Sequence, residues 1–423
     1  MKKIILFLIS IVCFIGSNAQ SITLHCETAG SLADTLTQKG LTNLSEIHSL
    51  TVSGHLHAGD FQLFKQMTLD SLNLSDVKID AFFGVGTYAP GVLGSNSPRQ
   101  YAEDEIPANA FSFRSGYNNS LSGMEDLVYM VLPTNLKSIA SEAFAKTSLT
   151  AIDLPAGLEN IDTDAFLGCL LLEEITIPAS VSSIGGMNDR GTIYGAFADC
   201  ESLRAIWVDE GNENFASVDG VLFSKDLTCL LQYPTGKIDT EYKIPNGTLR
   251  IAHQAFERNP FLKKVTLSAS VELIERAFWY CDNLREIVCE GEIPADWYAI
   301  GMTSLVEAFD YELMKEGWLT VPLGCKAIYE SNYYWGQFKN IRETETATNI
   351  ETIETSSILI MPKNKQIHIR QDKNENMDIL VYDTTGKLIQ HIQNNGNEIS
   401  IQVPQNGIYI VRINNTTQKC VCR

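Results

Sequence analysis

Between residues 136 and 289 the apolar positions return in one arrangement at a fixed step. In Leu158–Pro178 they are Leu158, Ile161, Ala165, Phe166, Cys169, Leu172, Ile175 and Ile177, closed by Pro178. The upstream copy reads Leu136, Ile139, Ala143, Phe144, Leu149, Ile152, Leu154, Pro155. Downstream copies read Leu249, Ile251, Ala255, Phe256, Leu262, Val265, Leu267, and then Leu273, Ile274, Ala277, Phe278, Cys281, Leu284, Ile287, Cys289. Phe144 to Phe166 and Phe256 to Phe278 are both steps of 22 residues. Such a period predicts a solenoid, in which one coil cannot bury its own apolar face and gains stability by stacking on neighbours. The segment Ile175-Thr176-Ile177 predicts a short strand, its outer members inward and its middle residue outward, because side chains alternate along a strand. The proline after it ends the strand. The Leu-x-x-Ile and Ala-Phe segments then cross the other side of the coil and pack inward.

The pattern changes on both sides of this array. Residues 20–105 read as an N-terminal cap with divergent coils, in which Ser31 caps a short helix running through Lys39 with Gly40 as its stop. Leu50-Thr51-Val52 and Leu72-Asn73-Leu74 alternate as strands, and 81–105 is a Gly/Ser/Pro-rich surface excursion. The solenoid occupies 106–342 and carries a hairpin insertion near 209–247, where Val221-Leu222-Phe223 and Cys229–Tyr233 flank a Lys225-Asp226 turn. Tyr329, Trp335, Phe338 and Ile341 have the spacing of a capping helix that plugs the last coil. A Thr/Glu-rich linker at 343–356 leads to a second domain, 357–423, whose short alternating strands and Asn-Gly turns predict a small β-sandwich. The fold class is thus mainly β with short helical segments.

Composition narrows the function. The 423 residues carry 32 Lys/Arg against 51 Asp/Glu, a net charge of −19 with no basic run, which excludes nucleic acid as a partner class. Residues 1–19 read as a signal peptide, with Lys2-Lys3, an apolar Ile4–Ile15 and small residues before Gln20. That core is shorter than the roughly 20 residues a bilayer span needs, so no transmembrane segment is expected in the mature chain. Oxidation is permitted in an exported protein. Even so, Cys169, Cys200 and Cys281 each lie three residues after a repeat phenylalanine, at a small ladder site suited to a buried thiol. A Cys169–Cys200 bridge between neighbouring coils is the alternative.

The commonest catalytic signatures are missing. There is no Gly-x-Ser-x-Gly elbow and no His-Glu-x-x-His. His55-x-His57 with Asp60 has ligand-like spacing but reads as a solvated loop, and the acidic run Asp209–Asn214 lacks the alternating oxygen ligands of a calcium loop. No metal, cofactor or catalytic residue is assigned, and the chain is expected not to be an enzyme.

These residues support a resemblance. The pattern Leu-x-x-Ile-x-x-x-Ala-Phe-x-x-Cys-x-x-Leu-x-x-Ile-x-Ile-Pro, with the insertion that begins Asn214–Asp226, resembles the BspA-like leucine-rich repeat of bacterial surface proteins. The C-terminal patches Val381-Tyr382-Asp383 with Gly386-Lys387-Leu388, and Gly407–Arg412, are similar to sorting domains of type IX secretion in Bacteroidota. The resemblance implies a secreted or cell-surface binding or adhesion protein, exported through the periplasm and recognised by the secretion machinery through 357–423. The candidate binding face is the outward row of the strands: Val131, Asp153, Thr176, Trp207, Thr266 and Val288. Trp207 stands out because aromatics dominate binding hot spots, unless the adjacent hairpin covers it. The expected partner is a protein, such as a matrix or cell-surface protein. The alternative is a glycan-binding accessory of surface polysaccharide handling.

Overall fold

Most coils of the array carry two short strands, and both kinds stack in parallel. The structure, a computed structural model, describes residues 21–85, 98–114, 120–187, 192–297, 308–344, 358–363, 366–371, 376–383, 387–394, 396, 398–404, 407–413 and 416–422. The expected signal peptide and linker residues 345–356 lie outside these, as do residues 86–97 of the 81–105 excursion. The chain divides into two compact units, one ending at Thr344 and the other beginning at Glu345.

On the first face, β1 (Ser21–Cys26), β2 (Ser49–Leu56), β3 (Ser71–Ile79) and β4 (Tyr129–Val131) form one parallel sheet in that order. β5 (Glu174–Ile177) and β6 (Ala205–Val208) form a second. Then come three antiparallel strands of the insertion, β7 (Phe215–Val218), β8 (Val221–Ser224) and β9 (Cys229–Gln232). The face resumes with β10 (Glu241–Lys243), β11 (Lys264–Leu267), β12 (Glu286–Cys289), β13 (Trp318–Val321) and β14 (Asn340–Glu343), again parallel. The alternation expected from sequence is visible in burial: Leu50, Val52, Leu72, Leu74, Ile175, Ile177, Val265 and Leu267 are all buried.

The second face was not anticipated as a sheet. Glu105–Ile106, Ser138–Ile139, Asn160–Ile161 and Ser183–Ile184 pair in parallel as two-residue strands. Their cause is the inward isoleucine of Leu-x-x-Ile. Stacking Ile106, Ile139 and Ile161 at one height sets the flanking amides at the spacing of a parallel ladder.

Between the faces runs a column of rings. Phe111–Phe144, Phe144–Phe166 and Phe166–Phe197 stack with centroids 5.1, 5.2 and 5.5 Å apart. Tyr233–Phe256, Phe256–Phe278 and Phe278–Phe309 continue it at 5.0, 4.6 and 5.0 Å. In several coils two left-handed residues flank the Ala-Phe pair: Glu142 and Lys146, Asp164 and Gly168, Gln254 and Arg258. Left-handed backbone disfavours side-chain-bearing residues, but here it aims amides at the next coil. Phe144 N–H donates to Ala165 C=O, Lys146 to Leu167, Phe256 to Ala277 and Arg258 to Trp279, at 2.8–2.9 Å.

The insertion is partly a coil in disguise. β7 and β8 join through Asp219-Gly220 with φ of 52° and 77°, the conformation an Asp-Gly hairpin turn demands. β9 pairs antiparallel with β8 and also parallel with Arg250–Ile251. Tyr233 takes the place of the repeat phenylalanine, and Tyr242 stands in register with Val265. β8 divides its side chains between two cores, with Leu222 in the upstream cluster and Val221 and Phe223 in the downstream one.

Two cap expectations are corrected. The N-terminal helix spans Leu32–Gln38, but Ser31 does not cap it; its hydroxyl donates to Thr28 C=O. The buried Asp60 carboxylate does the capping, accepting from Gly30, Leu32 and His57 N–H at 2.8, 3.4 and 2.9 Å. At the other end no single helix plugs the array. A helix at Lys326–Ser331, a turn at Trp335–Gln337 and β14 share the task. Trp335 donates from Nε1 to Ala295 C=O at 2.7 Å, and Tyr329 from its hydroxyl to Gly291 C=O at 2.8 Å.

The second unit has two sheets. One orders Ile358–Lys363, Gln366–Gln371 and Glu398–Gln402; the other orders Leu388–Asn394, Met377–Tyr382, Gly407–Ile413 and Thr416–Cys422. Ile367, Ile369, Met377, Ile379, Val381, Ile401, Val411 and Ile413 form a common core, which makes it a small sandwich.

Candidate binding face

The outward positions of the strands fall into registered rows because parallel pairing keeps each coil at the height of the last. Thr176 lies opposite Trp207, both exposed. Thr266 lies opposite Val288, both half-buried, and their row extends through Lys243, Thr320 and Arg342. Val131 is half-buried and continues the row Thr23, Thr51, Asn73. Asp153 is exposed on an extended segment that belongs to no sheet. The six expected residues therefore fall in three separate sheets, with Asp153 outside all of them, rather than on one continuous face. The insertion separates Trp207 from Lys243: Ile206 N–H donates to Gly220 C=O at 2.8 Å, and Ser217 Oγ to Ile206 C=O at 2.6 Å. These contacts seal the downstream edge of β6 without covering Trp207, which keeps 43% of its surface exposed. Its indole N–H donates to Glu174 Oε2 at 3.1 Å, fixing the ring on the face.

Two exposed aromatic residues escaped the sequence reading. Trp318 is as exposed as Trp207, and the Arg342 guanidinium lies 4.8 Å from its ring centre. Tyr129 is 58% exposed beside Val131. Both open a strand one residue before the inward position, a place the alternation already marks as outward. Arg342 also donates to Glu286, as does Thr320, at 2.6 Å each. Burial works against the Glu286 charge, but these two donors outweigh it and hold the carboxyl below its usual range.

The residues considered for metals are placed apart. His55 Nδ1 lies 2.9 Å from Asp80, while His57 pairs with Asp60 at 3.3 Å and stacks on Phe82. In the acidic run, the buried Asn212 is a clamp, donating to Pro178 and Val181 C=O and accepting from Asn214 and Phe215 N–H. The ladder cysteines are free thiols: Cys169, Cys200 and Cys281 each aim Sγ at the carbonyl of a phenylalanine in the preceding coil, at 3.1 Å. The side chains of Cys420 and Cys422 lie outside the described residues. Among the described residues no helix is long and apolar enough to cross a membrane.

Comparison with known proteins adds the following. Residues 115–225 and 237–308 match the BspA type leucine rich repeat region in six copies, and residues 361–423 match a secretion system C-terminal sorting domain. No curated protein matches the chain. Among solved structures, the pneumococcal vaccine antigen PcpA is 22% identical over 66% of this chain and 80% of its own, with a TM-score of 0.34. A leucine rich cell surface protein of Faecalibacterium prausnitzii is 19% identical over 79% and 86%, with a TM-score of 0.41. A leucine-rich repeat protein of Eubacterium ventriosum is 15% identical over 77% and 92%, with a TM-score of 0.39. The sorting domain marks the chain for type IX export to the cell surface or the medium. The chain thus carries a leucine-rich repeat region of the BspA type followed by a C-terminal secretion sorting domain.

Proposed function

We propose that this exported protein is a binding protein with no catalytic step of its own, which engages a protein partner through the strand face between Tyr129 and Trp207. Trp207 carries the reading: a large aromatic, exposed and held in one position by Glu174 on a rigid strand. Such a residue presents contact area with little conformational entropy left to lose. The partner is a matrix or cell-surface protein. A glycan accessory role is the second reading, since the same exposed ring could stack on a sugar, whereas the Trp318 ring is already engaged by Arg342.

The test is surface plasmon resonance of the purified full chain against a panel of matrix proteins and glycans. Saturable protein binding is expected, and Trp207→Ala should weaken it by about tenfold or more. The variant should keep its unfolding midpoint, because the ring is not part of the core. Absence of saturable binding to every member of the panel would refute the reading. Loss of glycan retention in Trp207→Ala, with protein binding intact, would move the assignment to the glycan.

A further inference from the structure

Between β4 and β5 the strand face changes character. At the corner the coils are still tied together: Thr150 N–H donates to Val128 C=O and Glu173 N–H to Thr150 C=O, both at 3.3 Å. Past this point Ala151, Ile152, Asp153 and Leu154 join no ladder. Among the described residues no hydrogen bond reaches the backbone N–H or C=O of any of the four. Among the described residues β4 pairs only with β3 and β5 only with β6, so the strand edges that flank the gap are open. A groove of about 460 Å³ follows the gap, lined by Tyr129, Val131, Thr134, Asp153, Leu154 and Pro155 among others.

Main-chain polar groups at this density normally find partners, because leaving them unmatched away from water costs about as much as a lost hydrogen bond. Neighbouring coils solve this by pairing; this one does not. Its sequence, Ile152-Asp153-Leu154-Pro155, has the same outline as Ile175-Thr176-Ile177-Pro178, so side-chain pattern is no obstacle to pairing. What the groove offers is a strand-like row of free amides and carbonyls beside an apolar wall with an exposed tyrosine. That is the equipment for taking up an extended peptide by main-chain pairing, with alternate side chains resting in the groove. Charge selects among peptides. Asp153 is exposed in the groove, Glu173 and Glu174 are exposed on the next coil, and the chain as a whole carries −19.

We propose that the groove between β4 and Ala151–Leu154 takes an extended, Lys- or Arg-bearing peptide segment of a partner protein, paired main chain to main chain. This rests on the protein-binding reading above and narrows it to one partner chemistry and one stretch of the face.

The test is fluorescence anisotropy of the full chain with labelled synthetic peptides that alternate apolar residues with Lys. Matched peptides carry Glu in place of Lys, or N-methyl groups in one or the other alternate frame. The Lys peptide should bind saturably and the Glu peptide at least about tenfold more weakly. N-methylation in one frame should abolish binding and in the other leave it, because a strand offers alternate amides to one neighbour. Asp153→Lys should invert the charge preference, and Asp153→Asn should reduce it. Both leave the core untouched, since Asp153 is exposed. Equal binding of Lys and Glu peptides, equal tolerance of both N-methyl frames, or an unchanged preference in Asp153→Lys would overturn the proposal. If no peptide binds while the protein panel is still bound through Trp207, the groove assignment falls and the broader reading stands. If neither binds, both fall.

Discussion

Replacing Asp164 by Asn tests how the turn side of the solenoid handles its charge. Asp164 sits at a left-handed position, φ 57°, with its N–H donating to Gly195 C=O at 3.0 Å. Burial pushes its carboxyl up from the usual 3.8 to about 7, helped by the negative charges of Glu142, Glu257 and Asp199 and opposed by Arg114. Asn keeps the length and tolerates the same backbone, so the substitution removes ionisation and little else. A carboxyl raised in the folded state binds its proton more tightly there than in the unfolded chain. Stability is therefore lost as pH rises from about 4 to about 7 and levels off above. A rise from 3.8 to about 7 at 1.36 kcal/mol per pH unit sets a ceiling of about 4 kcal/mol. Solvent screening of a side chain that is only partly buried brings the expected effect nearer 2 kcal/mol. All five tryptophans, 207, 279, 297, 318 and 335, lie in the first unit, so their fluorescence in urea reports on the solenoid alone. Asp164→Asn should match the parent at pH 4 and exceed it by about 2 kcal/mol at pH 8. A difference that is the same at both pH values, or a variant no more stable at pH 8, would refute the argument.

Three further outcomes are expected. Phe166→Ala removes the ring between Phe144 and Phe197 and should cost about 3–5 kcal/mol in the same urea titration. Arg250→Ala strands the fully buried Glu275, which also accepts from Ile193 N–H at 3.1 Å. It should cost about 3–5 kcal/mol, and hydrogen exchange should quicken first at the Ile193 amide. Removing residues 350–423 should leave the protein in the periplasm; a truncated chain that still reaches the surface would count against the sorting role.

What could be read from the sequence was whatever repeats in side-chain type. The phenylalanine step located the ring column, and the Ile-x-Ile segments located most strands of the first face. The coil at Cys229–Lys243 was hidden because Tyr233 and Tyr242 replace the usual Phe and aliphatic residue, and Gln232 replaces the alanine. Capping by Asp60 was hidden because its partners lie about 30 residues away in the chain. Of the candidate face, alternation identified the outward positions but not their grouping. Whether neighbouring coils pair or part is decided by backbone spacing, which leaves no mark in Asp153 or Thr176 themselves. The outwardness of Trp207 was legible; its exposure beside the insertion was not.

The division of β8 between two cores has a mechanical meaning for a protein handled at a cell surface. A pull along the solenoid passes from one core to the other through identifiable ties. One is β8 itself, with Leu222 anchored on one side and Val221 and Phe223 on the other. Another is the tie from Ile193 to Glu275 and His253. Antiparallel pairing sets β8 firmly between β7 and β9, while Arg250 holds Glu275 in place as the second fastening. The insertion thus works as a splice, joining two stacks of coils through one strand.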